Sequence, residues 1–313
     1  MFEITTTRAN PMVDPALHVW GWEIPVYLFL GGLVAGMMII SGYLLFRGGH
    51  RNVRSAALML PGVSVAMLTA GMLALYLDLE HKPYFWRLYT SFEPLSPMSW
   101  GAWILALVYP ALIANLLLRV PGRLARRWPW LAELSGRLVR HQLAVRVIGA
   151  ANLFLGVLLG VYTGVLLSAL GARPLWNSAL LGPLFLVSGL STAAAFVHII
   201  APDPLDKRLL ARADNVFLAS ELMLIVLLIA GLLTATRAHI DAAAMLLGGA
   251  YGAAFWVLVV GLGIVVPLVI QTLAVSQRIR HTQVAPVLVL AGGLALRFVI
   301  VYAGQASRWP VAS

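Results

Sequence analysis

The chain has 313 residues, of which 61% are hydrophobic and 11% charged, with a formal net charge of +10 and no cysteine. A soluble domain is about half apolar and a quarter charged, so this composition excludes an ordinary soluble enzyme and points to a single membrane domain over residues 1–313. The absence of cysteine excludes disulfides, thiolate metal sites and cysteine-held iron–sulfur clusters in this chain. The basic residues lie between apolar runs, so no nucleic-acid partner is expected.

Residues 1–22 lack the basic start and apolar core of a signal peptide, so the first span is expected to insert uncleaved. Crossing a bilayer as a helix takes ~20 apolar residues. Such runs fall at about 23–46, 56–79, 99–119, 144–170, 178–200, 215–236, 246–275 and 284–304. The expected fold class is all-α, a polytopic integral membrane protein of about eight transmembrane helices. The two halves have equal span counts, which allows two four-helix bundles, although no internal sequence repeat is evident.

Span 1 opens the chain's most informative stretch, WGWEIPVYLFLGGLVAGMMIISG from Trp20 to Gly42. Its tryptophans suit a headgroup boundary, and its small residues at helical spacing let another helix pack close. Glu23, beside a long apolar run, is costly in a membrane and so suggests a function.

The loops after spans 1, 3, 5 and 7 hold about fifteen Lys and Arg against six on the alternate side, with Arg297 inside span 8. Seven of those fifteen belong to the loop after span 3, whose segment 120–143 reads as a cytoplasmic basic linker. The bias places the protein in a bacterial inner membrane as a multi-pass chain with both termini outside, on the periplasmic side. Anionic lipid headgroups are a minor alternative role for that linker. Seven of the ten tryptophans, Trp20, Trp22, Trp86, Trp100, Trp103, Trp176 and Trp309, fall on the outer side. An ordinary aromatic belt would mark both faces; the asymmetry suggests a docking surface, or the mouth of a site for an aromatic ligand at which Trp22 would stand.

Polar residues at depth carry the remaining information. Glu23, Asp78 and His81 lie at or near the outer ends of spans 1 and 2, Tyr162 in the outer half of span 4, and Arg297 in the outer half of span 8. His198 lies near the inner end of span 5, and Glu221 about two turns into span 6 from the inner side. The plainer readings are wet interfacial groups, a packed tyrosine and a structural ion pair, in which Arg297 would be matched with Asp78 or Glu23. His18, His50, His81, His141, His239 and His281 fall in loops or at span edges, so a haem held between two histidines is not expected. No carboxylate–histidine cluster has metal-ligand spacing, so no metal site is expected. A chain without a redox centre can still hold a lipophilic carrier. A quinone needs an apolar slot, one or two groups for its carbonyl oxygens and a proton acceptor. Tyr162, Glu23, Asp78 and His81 would supply these groups, with Arg297 keeping a neighbouring carboxylate charged.

Several stretches resemble the NrfD/PsrC family, the membrane subunits of nitrite, polysulfide and related respiratory reductases. They are VWGWEIPVYLFLGGLVAG in span 1, LDL and the following FW after span 2, GVYTGVLLSAL in span 4, RPLWN and LGPLFLVSGLS around span 5, GLGIVVP in span 7 and LRFVIVYAGQ in span 8. They cover most of the chain in order. The resemblance implies a haem-free, quinone-binding subunit of about eight helices, the quinone being menaquinone or ubiquinone. The implied partners are a four-cluster ferredoxin-like iron–sulfur subunit and a catalytic reductase or oxidase subunit, often a molybdopterin enzyme. Docking is expected on the outer face, around residues 80–98 and 172–177. The resemblance makes Tyr162 a quinone ligand near the outer ends of spans 1 and 4. Some members have a histidine at the position of Tyr27; this chain departs there, and Glu23, Asp78 or His81 stand as substitutes. It also maps a family carboxylate onto Glu221, with Asp206 and His198 completing a proton path toward the cytoplasm. The rival readings are a transporter or proton channel, and a purely structural membrane anchor.

Overall fold

In the computed structural model, residues 20–48, 56–79, 82–90, 92–94, 96–171, 173–201, 204–278 and 282–309 are described. Eight of its helices are long and apolar enough to cross a membrane. They are α1 (Glu23–Phe46), α2 (Ala56–Asp78), α3 (Pro97–Leu117), α4 (Gln142–Ser168), α5 (Leu181–Ile200), α6 (Pro204–Leu233), α7 (Ala254–Val275) and α8 (Val284–Ala306). The protein is an all-α, multi-pass membrane protein, and no strand occurs among the described residues.

Two spans differ from the reading of the sequence. Helix α6 begins at Pro204 rather than near 215. Lys207, Arg208 and Arg212 resemble a loop by composition, but they form the first turns of the helix, where long basic stems can reach toward a polar boundary. Glu221 therefore lies seventeen residues along α6, ~26 Å at 1.5 Å per residue, rather than two turns in. Helix α7 begins at Ala254 rather than 246, because Gly248 and Gly249 end a separate helix, Arg237–Leu247. Its first twelve residues, Ala254–Val265, are π-helical, a wide form rarely seen in more than single turns. The basic linker is also helical, over Gly122–Arg127 and Pro129–Arg140.

Helices α1 to α4 pack as a ring of neighbours, α1 on α2, α2 on α3, α3 on α4 and α4 on α1. Helices α5 to α8 repeat that ring, so the halves form two four-helix bundles. They meet where α1 lies on α5 and α8, and where α4 lies on α5. Small residues make the approaches close. A Cβ on Gly42 would come within 2.6 Å of the Gly149 carbonyl oxygen, and one on Gly36 would strike the backbone of Gly189. Within the first bundle Asn152 donates to the Ala111 carbonyl at 2.9 Å, and Asn115 donates to Ser41 Oγ at 3.2 Å, tying α4, α3 and α1 together.

The ends of the spanning region meet on one face. The Trp20 N–H donates to Gln305 Oε1 at 3.2 Å, and Gln305 Nε2 donates back to the Trp20 carbonyl at 3.0 Å. The Trp176 indole packs on Trp20 and donates to the Ile300 carbonyl at 2.9 Å. This is the terminal face; the opposite end, where the helices of the basic linker lie, is the arginine-rich face.

Candidate functional site

A cavity of about 310 Å³ lies inside the first bundle, toward the terminal face. All four helices of that bundle contribute to it: Tyr27 from α1, Met72 and Tyr76 from α2, Gly101 from α3 and Tyr162 from α4. The connection between α2 and α3 closes one side with Phe85 and Tyr89. The volume falls within the range of small-molecule sites, and the walls are almost wholly apolar.

Two buried phenols supply the polar contacts. Tyr27 is 2% exposed and Tyr162 is 6% exposed. Among the described residues neither hydroxyl has a hydrogen-bond partner, although a buried tyrosine hydroxyl ordinarily finds one. Gly101 makes the room for Tyr162, since a Cβ at that position would fall on the phenol oxygen. Tyr89, on the connecting segment, is half-buried; burial, and secondarily the neighbouring Tyr109, push its phenol above its ordinary value, so it stays a neutral donor.

The candidate carboxylates form a rim to this cavity. Glu23 lies one helical turn before Tyr27, and Asp78 follows the lining residues Leu75 and Tyr76. The two carboxylates are electrostatic neighbours. Glu23 also faces Tyr302 of α8. Trp22 is exposed and lies outside the lining. His81 lies outside the described residues.

Arg297 does not join this rim. Its guanidinium is fully buried in the second bundle, donating to the Phe185 carbonyl at 3.0 Å, the Gly293 carbonyl at 3.2 Å and the Ser188 hydroxyl. It also lies over the Phe185 ring, 4.7 Å from its centroid. The carboxylate whose charge it feels is Glu221 of α6, rather than Asp78 or Glu23. The reason is topological: α8 packs on α5 and α7, and its contact with α1 falls at Gly32, about 140° around α1 from Tyr27.

Below Glu221, toward the arginine-rich face, stands a second buried carboxylate that sequence reasoning missed. Asp214 accepts hydrogen bonds from Ser191 Oγ and Gln271 Nε2, both at 2.6 Å. It lies seven residues before Glu221 on α6, two turns along the same helix face, and the two carboxylates are electrostatic neighbours. That spacing was the available signal, but Asp214 read as loop because span 6 was expected to start at 215. Among the described residues Arg297 Nε, Gln271 Oε1 and Asn215 Oδ1 are buried without a hydrogen-bond partner. His198 is buried in the last turn of α5, and Asp206 lies in the first turn of α6, so both stand nearer the arginine-rich face. The sequence-predicted residues thus divide into a phenol-lined cavity in one bundle and an acidic line in the other, with α1 between them. Among the described residues no group of three His, Asp or Glu side chains gathers that could hold a metal ion.

Comparison with known proteins agrees with this architecture. The profile of the family described as "Polysulphide reductase, NrfD" matches residues 10–307. The protein is 32% identical over 306 residues to the C chain of polysulfide reductase from Wolinella succinogenes, covering 92% of this sequence and 94% of that one. It is 33% identical over 309 residues to protein NrfD of Escherichia coli, covering 92% and 95%. A NrfD homolog of Haemophilus influenzae is 29% identical over 318 residues, covering 94% and 97%. A profile matched along nearly the whole chain, with relatives of almost equal length, leaves one assignment: the protein belongs to the NrfD family.

Proposed function

We propose that this protein is the quinone-reactive membrane subunit of a respiratory reductase complex. The observation that carries the reading is the apolar cavity into which Tyr27 and Tyr162 bring two hydroxyls without protein partners among the described residues. The residues present fit a quinone: flat aromatic and methionine walls for the ring, a slot between helices for the tail, and two phenols for the carbonyl oxygens. When bound, a quinone supplies two-electron, two-proton chemistry that no side chain here offers.

The chain's own residues do the rest. Tyr162 and Tyr27 donate hydrogen bonds to the carbonyl oxygens and fix the ring's orientation. The apolar walls keep water from the ring. Glu23 and Asp78, paired at the rim, take up or deliver protons at the terminal face. Electrons pass through a partner, because this chain has no cysteine with which to hold a cluster. The name of the Wolinella succinogenes relative, one lettered chain of a reductase, supports an assembly with other chains. We assign the partner iron–sulfur clusters, with a catalytic subunit beyond them. Tyr84, Phe85, Trp86 and Trp100 are exposed beside the cavity and form the docking surface. On this reading the terminal face is the periplasmic side of a bacterial inner membrane.

A second role, proton translocation, is favoured by a separate observation. Asp214 and Glu221 stand on one face of α6, Asp214 linked to α5 through Ser191, with buried polar atoms beside them that water can serve. His198 and Asp206 extend that line to the arginine-rich face.

Tyr162→Phe in the assembled complex tests the main reading. It removes one hydroxyl and leaves the ring, so quinol-linked turnover should fall about 3- to 10-fold, the worth of one neutral hydrogen bond. Assembly should be intact. Unchanged turnover would remove Tyr162 from the site, and loss of assembly without a kinetic effect would favour a purely structural anchor.

A further inference from the structure

A second cavity, of about 440 Å³, opens in the half of the protein toward the arginine-rich face. It lies on the seam between the bundles, walled by α1, α4, α5 and α6; it is apart from the phenol-lined cavity and from Asp214 and Glu221, and shares only Asp206, at its mouth, with the proposed proton line. Its lining on α6 runs from Asp206 to Phe217, eleven residues or ~16 Å. One leaflet of a ~30 Å hydrocarbon core is ~15 Å deep. The groove therefore has the length of a single acyl layer.

Its polarity is confined to one end. The deep walls are Ile39, Leu153, Leu190, Ala194 and Phe217, whereas the polar lining groups, Tyr43 and Asp206, stand at the mouth. Arg47, one turn beyond Tyr43, holds its guanidinium over the Tyr43 ring, 5.5 Å from the centroid. Lys207 follows Asp206 at the same end. Among the described residues Arg47 and Lys207 bring positive charge to the end of the groove at which Asp206 stands. A quinone ring would find no polar group at depth and would lie at the end of the protein opposite the aromatic docking surface. An acyl chain ending in a phosphate meets every feature.

We infer that this groove is a seat for a membrane phospholipid, whose acyl chain lies between the two bundles and whose phosphate is held by Arg47 and Lys207 at the arginine-rich face. The acyl chain fills a part of the seam that glycine contacts do not close directly, so the lipid acts as a wedge between α1 and α6.

The test uses the full-length protein, delipidated in detergent and then given phosphatidylglycerol. Native mass spectrometry reads the bound lipid, with a short-chain quinone as competitor. Wild type should retain one phosphatidylglycerol that the quinone does not displace. Arg47→Gln, at the mouth, and Ala213→Phe, which fills the groove from a partly lipid-facing position, should each weaken retention by about tenfold or more. Quinol-linked turnover should be unchanged in both. Retention equal to wild type in either variant, or displacement of the lipid by the quinone, overturns the assignment.

Discussion

Gly101 of α3 and Tyr162 of α4 share one space: a methyl group on Gly101 would occupy the position of the Tyr162 hydroxyl. The helices approach there because one side chain is absent. The phenol is thereby aimed into the cavity rather than packed away.

Gly101→Ala should be more harmful than its size suggests. Replacing a helical glycine by alanine ordinarily gains up to ~1 kcal/mol, so the helix itself is not weakened. The phenol must move instead and its hydrogen bond to the quinone ring is lost, so quinol-linked turnover should fall about 3- to 10-fold, as for Tyr162→Phe. Steady-state quinol oxidation by the purified complex, alongside an assembly assay, checks this. Turnover near wild type would mean that the Tyr162 hydroxyl need not stand where it does.

Glu23 and Asp78 should back each other up. They are neighbours at the rim, and either can exchange a proton with the terminal face. Glu23→Gln or Asp78→Asn alone should reduce turnover by less than about tenfold, whereas the double variant should lose about 100-fold, the lower range of a general acid–base contribution. KM should change little, because the ring is held by the phenols. Additive single effects in a double-mutant cycle would argue against shared duty.

Asp214→Asn should separate electron flow from proton movement. The amide keeps the size of the side chain and its oxygen can accept from Ser191, but it cannot relay a proton. In proteoliposomes holding the complex, quinol-linked turnover should persist while protons moved per electron fall. An unchanged ratio would take Asp214 off the path and leave it a structural acceptor for Gln271.

Arg297→Leu should destabilise rather than merely inactivate. It leaves Glu221 buried without the cation whose charge it feels, and strips the Phe185 and Gly293 carbonyls of their donor. Several buried polar groups lose their partner at once, so the cost should exceed that of any single unsatisfied group, about 1–3 kcal/mol each. Ser188→Ala should cost less, about 1–3 kcal/mol, the penalty for one unsatisfied partner. Thermal unfolding in detergent distinguishes the two; a smaller loss for Arg297→Leu than for Ser188→Ala would contradict the arrangement.

What could be read from residues alone tracks what a bilayer demands. The span of α1 matched residue for residue, because a long apolar run bounded by Glu23 and Arg47 admits one answer. Tyr27 and Tyr162 were both singled out, and the structure brings them to one cavity from α1 and α4. The start of α6 was missed because composition cannot separate a loop from a helix whose first turns carry Lys207, Arg208 and Arg212. Asp214 was lost with those turns, and Glu221 was given the wrong depth. Gly101 carried no signal of its own, since nothing in a linear string says which side chain will need its space. The neighbour of Arg297 was out of reach for the same reason. Depth in the membrane narrows the choice of carboxylate, but only the order of helices around the bundle chooses Glu221 over Asp78.

The position of α1 has a consequence for dissecting the molecule. That helix is a wall of the first ring and also the surface on which α5 and α8 rest. Severing the chain after α4 would yield two four-helix fragments of plausible size. The first would carry the bare glycines Gly32 and Gly36 toward lipid, and the second would lose the neighbour against which Arg297 and Gly189 are sheltered. Co-expressed, such fragments should find each other again through that stripe; made singly, neither should survive as an independent unit.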